Sequence, residues 1–190
     1  MIYQLMIGNY PDRYWFQYDS TVVANYEFIE CKEIQINKPL VFKLKDKVSE
    51  KRLFSYDFYF SDGPDFISPR LANLLSNNQD FLHDVQLIDA TITVNGHSYS
   101  GYKVLNILRL ISCIDMNKSE YEPILDDYPD GPMRFFKIVF KEDIKEQFCM
   151  ARCEESEGRI VMSESLRQFF INNKVKGIDL STSCNQSIYG

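Results

Sequence analysis

The sequence predicts an α+β fold, with a mostly antiparallel or mixed sheet and two short serine-capped helices in a repeated two-lobe arrangement. Three observations support this fold class. One serine-led apolar pattern occurs twice, short strand-like segments surround both copies, and Asn95-Gly96 gives a strong β-hairpin signal. Because strand signals dominate, we expect a sheet on which a few helices pack.

The two predicted helices begin at Ser68 and Ser163, which stand 95 positions apart. Each serine can accept a hydrogen bond from a free amide of the first helical turn, and Pro69 fits the first helical position. Apolar residues three, six and seven positions after each serine share one helical face, which should pack against the rest of the domain. An Asn-Asn pair ends each segment, and asparagine tolerates the left-handed conformation that ends many helices.

The predicted strands follow the alternation of apolar and polar residues. Residues 40–45 and 88–94 alternate, and the second run meets Asn95-Gly96, so a returning strand should begin near His97. Residues 102–114 are apolar on both faces, which is typical of a strand buried on both sides, with a helix as the alternative. Further short strands are predicted at residues 134–140, 148–152, 159–162 and 178–181.

The chain length of 190 residues suits a single domain, which we place at residues 1–190. Turn-forming residues are dense at 61–65 and again at 125–132. The second of these stretches separates two halves that each contain one serine-led helix. The pattern therefore also allows two lobes, at about residues 1–125 and 133–190.

The composition limits the classes of partner. A net charge of −6 disfavours binding to nucleic acid or to an anionic membrane, because both need clustered Lys and Arg, and it favours a basic protein partner. The first eight residues lack the features of an export signal. Five cysteines, an odd number, are typical of reduced thiols. We therefore expect a cytoplasmic protein.

One segment comes close to a catalytic motif. Residues 96–100 nearly form a nucleophile elbow around Ser98, but position 100 is serine where the sharp turn needs a second glycine. The base would have to be His83 or His97, the two histidines of the chain. The Asn-Gly hairpin explains this segment better, and a serine hydrolase stays as the less favoured alternative.

Two segments resemble metal-binding motifs but lack the required ligands or ligand spacing. Residues 126–137 resemble a calcium loop, but Tyr128 replaces a ligand and Lys137 stands where the bidentate glutamate belongs. Cys149 and Cys153 are four positions apart in a predicted strand and loop, a spacing that does not direct both thiols to one zinc ion. We therefore predict no catalytic residue, no cofactor and no metal site.

A basic stretch keeps a second alternative open, a small nucleic-acid-binding module. Phe42 and Phe54 flank a run of cations that could hold a single strand: Lys43, Lys45, Lys47, Lys51 and Arg52. Asp46 and Glu50 interrupt the run, and alternating lysines are an ordinary way to solvate an edge strand. We therefore expect no nucleic-acid partner.

Three acidic sets point instead to a basic protein. The first comprises Glu27, Glu30 and Glu33. The other two supply the predicted partner-binding residues: Asp126, Asp127, Asp130, Glu154, Glu155 and Glu157. Each set alone is typical of a solvated loop. Three sets on a net acidic chain favour a basic partner.

Residues 101–121 carry an apolar strand with a Leu-Asn pair that runs into Asp-x-x-x-Ser-Glu, at positions Tyr102, Leu105, Asn106, Asp115, Ser119 and Glu120. This arrangement resembles the central motif of a family of bacterial immunity proteins, the eleventh in the numbered classification of polymorphic-toxin immunity proteins. The serine-led helices and the closing strand after Gly177 fit the same family, so the resemblance covers about residues 55–182. Residues 148–152 depart from the family's apolar-Phe-Arg strand.

The resemblance implies a cytoplasmic protein that binds and neutralises a cognate toxin domain, with no catalytic residue of its own. The acidic charge adds the expectation that this toxin domain is basic. Asp115 and Ser119 are predicted to be structural, because such side chains can cap a turn through backbone amides.

Overall fold

A computed structural model describes residues 1–128 and 131–180 of the chain. Its strands, in chain order, are β1 (Ile2–Gln4), β2 (Met6–Ile7), β3 (Phe16–Tyr18), β4 (Leu40–Leu44), β5 (Phe58–Tyr59), β6 (Phe66–Ile67), β7 (Val85–Val94), β8 (His97–Ile107), β9 (Leu110–Ile111), β10 (Glu120–Pro123), β11 (Met133–Lys137), β12 (Met150–Cys153), β13 (Ser156–Ser163) and β14 (Ile178–Asp179). The helices are α1 (Glu50–Leu53), α2 (Pro69–Ser76) and α3 (Glu164–Asn172), with short 3₁₀ turns at Asp12–Tyr14, Asn25–Ile29 and Gln79–Phe81. The predicted α+β class is confirmed.

The larger sheet has six strands in the order β3-β4-β7-β8-β6-β5. The β4–β7 pair is parallel and the other pairs are antiparallel, so the sheet is mixed, as predicted. Strands β7 and β8 form its long central hairpin. Asn95 and Gly96 close this hairpin with φ angles of 51° and 87°, which confirms the predicted turn.

The first core lies on this sheet and is rich in aromatic rings. Phe66 is fully buried at its centre, with its ring centroid 4.3 Å from that of Phe42 and 5.2 Å from that of Tyr59. Phe16 and Tyr102 meet the same ring edge-on. Such packed ring pairs add stabilisation beyond the apolar area that they bury.

The smaller sheet has four strands in the order β1-β13-β12-β9, and it separates two cores. Alternate residues of one strand point to opposite faces. Met150 and Met162 therefore join the first core, whereas Ala151, Cys153 and Val161 face a second core. The two-stranded antiparallel hairpin β10–β11 contributes Phe135 to that second core, and β2 pairs with β14.

Both serine-led helices begin where the sequence predicts them. Ser68 Oγ accepts a hydrogen bond from the Leu71 amide at 3.1 Å, and Ser163 Oγ accepts one from the Leu166 amide at 3.3 Å. The predicted apolar face of each helix is turned inward, and its most buried members are Leu71, Leu75, Leu166 and Phe170.

The explanation proposed for the helix ends was wrong. Neither Asn77 nor Asn173 has a positive φ. Instead, Asn78 and Asn173 each donate a side-chain hydrogen bond to the carbonyl four residues earlier, at 2.8 and 2.9 Å. The first of these bonds satisfies the Leu74 carbonyl, which the backbone of the last helical turn leaves free. The second adds to the bond that the Phe169 carbonyl already accepts from the Asn173 amide. The left-handed residue after α3 is Lys174, with a φ of 52°.

The apolar tract at residues 102–114 is a strand only in part, and the helical alternative was wrong. Strand β8 ends at Ile107 and the chain then crosses to the other sheet, where β9 runs parallel to β12. The Leu108 amide donates to the Asp84 carbonyl at the end of β8, and the Arg109 carbonyl accepts from the Arg152 amide at the start of β9. The tract is apolar on both faces because it serves both sheets.

Strand β1 pairs with β13, which links the first residues of the chain to its last third. A division into lobes at about residues 1–125 and 133–190 stays a prediction, and such lobes would share this strand. Within residues 1–128 and 131–180, no helix is long and apolar enough to cross a membrane.

Candidate partner-binding surface

The hairpin β10–β11 lies at the base of the segment that contains the predicted aspartates Asp126 and Asp127. Phe135 is buried in the second core, and the Arg159 guanidinium lies 6.0 Å from the centre of its ring. Across the two strands, Glu120 pairs with Lys137 at 3.6 Å and Glu122 pairs with Arg134 at 3.3 Å. The cations of the hairpin therefore have carboxylate partners on the hairpin itself.

The hairpin tip, residues 124–128, brings together apolar and acidic side chains. Ile124, Leu125 and Tyr128 are 52%, 55% and 57% exposed. Asp126 and Asp127 are also exposed, and neither has a hydrogen-bond or ion-pair partner among the described residues. Asp130, the third predicted member of this set, lies outside the described residues.

The predicted set Glu154, Glu155 and Glu157 lies at the turn between β12 and β13, with Glu157 in the first residues of β13, and its members differ. Glu154 and Glu157 are exposed. Glu155 has a side chain only 12% exposed and accepts hydrogen bonds from the Ser112 hydroxyl at 2.7 Å and the Cys113 amide at 3.1 Å. Burial alone would raise the pKa of Glu155, but these hydrogen bonds outweigh it and lower the pKa. Glu155 thus stabilises the fold, and Glu154 and Glu157 are the members open to a partner.

The hydrolase alternative gains no support from the geometry. His97 and Ser98 are neighbours in β8, so their side chains point to opposite faces of the sheet. His83 and Ser98 line different clefts. A nucleophile and its base must lie within hydrogen-bond reach of each other, and here they do not.

The candidate metal ligands are also dispersed. The Cys149 thiol donates to the Asp80 carbonyl, whereas the Cys153 sulfur lies 3.0 Å from that of Cys113 in the second core. The described residues contain no group of three or more His, Cys, Asp or Glu side chains that could hold a metal ion.

The basic stretch lacks free aromatic rings. Phe42 is fully buried, and the Phe54 ring packs edge-on against Tyr99 with centroids 4.8 Å apart. Single-stranded nucleic acids are held by base stacking on exposed rings. Lys43 and its neighbours are exposed to solvent, and the two rings beside them pack within the fold.

Comparison with known proteins supplies the functional class of the chain. A model of an immunity protein family, Imm11, matches residues 8–183. The chain belongs to the Imm11 immunity protein family. No curated protein gives a significant match to the chain. The Imm11 match begins well before residue 55, so it includes β3, β4 and α1, which the motif resemblance did not reach.

In this Imm11 chain the motif residues hold the fold together. Asn106 is fully buried and its amide donates to the Lys32 carbonyl at 2.8 Å and to Gln86 Oε1 at 2.9 Å. Asp115 Oδ1 accepts from the Asn117 amide at 3.1 Å, which caps a turn as predicted. Ser119 Oγ accepts instead from the amide of Val139, at 3.0 Å, in the segment after β11. These motif residues are structural.

Sequence reasoning missed two ionisable residues that lie near each other, Asp65 and Arg152. Both line a cleft of about 240 Å³ between the two sheets, and Arg152 is only 8% exposed. Burial raises the pKa of Asp65 to about 7, although the nearby positive charge of Arg152 opposes the shift. No local signal marks this pair, because Asp65 follows a turn and Arg152 lies in a short strand 87 positions later.

The raised pKa of Asp65 gives stability a definite pH dependence. The usual pKa of an aspartate is 3.8, so between about pH 4 and pH 7 Asp65 ionises in the unfolded chain but stays protonated in the folded protein. This difference lowers the stability progressively over that range, with no further loss above about pH 7, where the folded protein ionises as well. We expect Asp65→Asn to be more stable than the wild type at pH 8 by about 2 kcal/mol, with this advantage lost near pH 4.

Urea unfolding of both proteins at pH 4, 6 and 8 checks this prediction. The matched control is Asp12→Asn at an exposed carboxylate, which should keep the wild-type pH profile. An equal stability difference between Asp65→Asn and the wild type at all three pH values would contradict the role assigned to Asp65.

Proposed function

We propose that this chain is a cytoplasmic immunity protein that binds the toxic domain of a cognate effector and neutralises it. Membership of the Imm11 family carries this proposal, since it supplies the function class. The acidic character of the chain, with a net charge of −6, supports a basic toxin domain as the partner. The protein acts by occupying the toxin and catalyses nothing.

Exposed carboxylates attract the basic toxin domain and so speed its binding. Asp126 and Asp127 at the hairpin tip, Glu154 in the β12–β13 turn and Glu157 at the start of β13 are open to solvent. Toxins that act on anionic substrates carry basic clefts, and complementary charge raises association rates to about 10⁸ M⁻¹s⁻¹ or more at low salt. Fast association protects the cell before the toxin reaches its substrate.

Co-expression tests the proposed function. We expect the gene immediately upstream to encode the toxin domain. This domain is produced in a sensitive bacterial strain, with and without this Imm11 chain. The proposal predicts survival only in the presence of the protein, and a stable complex on copurification. Normal killing despite soluble, folded protein would rule out the immunity function for this pair.

Charge reversal tests the capture mechanism. We expect Asp126→Lys with Asp127→Lys to slow association with the toxin domain about tenfold at low salt, because local attraction becomes repulsion. Asp12→Lys with Asp46→Lys makes the same charge change at exposed positions outside the three sets and should stay within about threefold of the wild type.

Stopped-flow association rates at several salt concentrations measure this effect, and the difference between the two double variants should shrink as salt screens it. Equal association rates and equal salt dependence in both double variants would discard the electrostatic mechanism while leaving the immunity function intact.

A further inference from the structure

The hairpin tip is unusual in how much apolar surface it exposes. Five large apolar side chains in the described chain are more than half exposed, and three of them lie at the tip: Ile124, Leu125 and Tyr128. Single exposed apolar residues are ordinary on protein surfaces, whereas a contiguous group marks a site of interaction.

The tip is also held in place. The Ile124 amide donates to the Pro132 carbonyl at 2.9 Å, and the Tyr128 amide donates to the Leu125 carbonyl at 3.0 Å. A side chain at Gly131 would overlap the Tyr128 ring, since an added Cβ would lie 2.2 Å from its Cδ1 atom. The ring therefore rests directly on the backbone of Gly131. A side chain fixed before binding loses less conformational entropy in a complex.

The tip carries negative charge that the hairpin does not compensate. Residues 123–133 contain three aspartates and no lysine or arginine. Arg134 and Lys137, at the base of the hairpin, pair with Glu122 and Glu120. The carboxylates of Asp126 and Asp127 therefore lie between exposed apolar side chains, with Ile124 and Leu125 before them and Tyr128 after them.

We infer that this tip is the anchor that enters a concave site on the cognate toxin domain, a site with an apolar floor and a rim of Lys or Arg. Tyr128 and Leu125 fill the floor, and Asp126 and Asp127 pair with the rim. This inference rests on the proposed immunity function and assigns the contact that holds the complex together.

The combination of apolar and acidic side chains at the tip selects this partner chemistry. A purely apolar surface would bury two carboxylates without cations, which costs several kcal/mol for each unpaired charge. A flat basic surface would leave the three apolar side chains in water. A second copy of this chain would bring Asp126 and Asp127 against their equivalents in a symmetric contact, and an anionic membrane would repel them.

The other acidic turn lacks these properties. No large apolar side chain in the β12–β13 turn is exposed, and Glu155 is used within the fold. Glu154 and Glu157 can attract a basic partner but offer nothing to fill a pocket. Aromatic side chains at the centre of an interface carry most of the binding energy, so Tyr128 is the expected main anchor.

Dissociation kinetics with the upstream-encoded toxin domain test this inference. We expect Tyr128→Ala to raise the Kd by about 30-fold or more, mainly through faster dissociation, and Leu125→Ala to raise it about tenfold. Tyr26→Ala is the matched control, because Tyr26 is 63% exposed but lies outside the hairpin, and its Kd should change less than about threefold. Tyr128→Phe, which keeps the ring, should stay close to the wild type.

The outcomes separate the two proposals. Thermal unfolding first establishes that each variant keeps the wild-type fold. If the wild type binds and protects but Tyr128→Ala and Leu125→Ala dissociate as slowly as Tyr26→Ala, the anchor assignment is wrong and the immunity function stands. If the wild type itself neither binds nor protects, both proposals are overturned.

Discussion

Phe66→Ala is expected to lower the free energy of unfolding by about 3–5 kcal/mol. Phe66 is fully buried and contacts four aromatic side chains of the first core: Phe16, Phe42, Tyr59 and Tyr102. Removing its ring leaves a cavity among rigid rings that cannot collapse to fill it. The lost burial of apolar surface and the cavity therefore both lower the free energy of unfolding.

Chemical denaturation of the variant measures this loss. Phe136→Ala is the matched control, because Phe136 is 46% exposed on the outer face of β11 and should cost about 1 kcal/mol or less. Similar losses in the two variants would contradict the assignment of Phe66 to the centre of the core.

Asp57→Asn is expected to lower the free energy of unfolding by about 3 kcal/mol, although it changes the side-chain volume little. Asp57 is 3% exposed and connects α2 to the segment after α3. Its Oδ1 accepts from Ser68 Oγ at 3.0 Å and Arg70 Nε at 2.9 Å, and its Oδ2 accepts from another Arg70 nitrogen at 2.6 Å and the Lys176 amide at 3.1 Å. An asparagine amide would point its own hydrogens at two of these donors.

The matched control is Asp89→Asn. Asp89 also pairs with a cation, Lys103, at 2.6 Å, but the Asp89 side chain is 72% exposed. Asp89→Asn should therefore lower the free energy of unfolding by less than about 1 kcal/mol. Thermal and urea unfolding of both variants compare a buried carboxylate network with a surface ion pair. A stability loss in Asp57→Asn no larger than in Asp89→Asn would show that the network adds little.

The sequence predicted the elements that local chemistry determines. Ser68 and Ser163 satisfy the first amides of their own helices, and Asn95-Gly96 supplies the positive φ angles that its own hairpin needs. These signals act within a few residues. The helices and the central hairpin could therefore be found without knowledge of the tertiary fold.

Elements that depend on distant partners could not be found in this way. Strands β1 and β9 have three and two residues, too few to show a period, and they exist only because β13 and β12 pair with them. The Asp65–Arg152 cleft likewise forms only when the two sheets meet.

The candidate site was predicted in part. The acidic residues of the tip were evident from the sequence, because aspartate, proline and glycine mark exposed turns. Its apolar residues were not, since Ile124 and Leu125 resemble core residues when their environment is unknown. Glu155 is the converse case, because the sequence predicts a partner-binding residue there and the structure uses it within the fold. Its neighbours in the sequence are exposed, but hydrogen bonds from Ser112 and Cys113 hold it within the fold.

The most direct test of the immunity function is a titration of the toxin's own activity with the purified protein. We expect the activity of the upstream-encoded toxin domain to fall in proportion to added protein and to vanish at a fixed molar ratio. Full toxin activity in a large molar excess of correctly folded protein would contradict the immunity function.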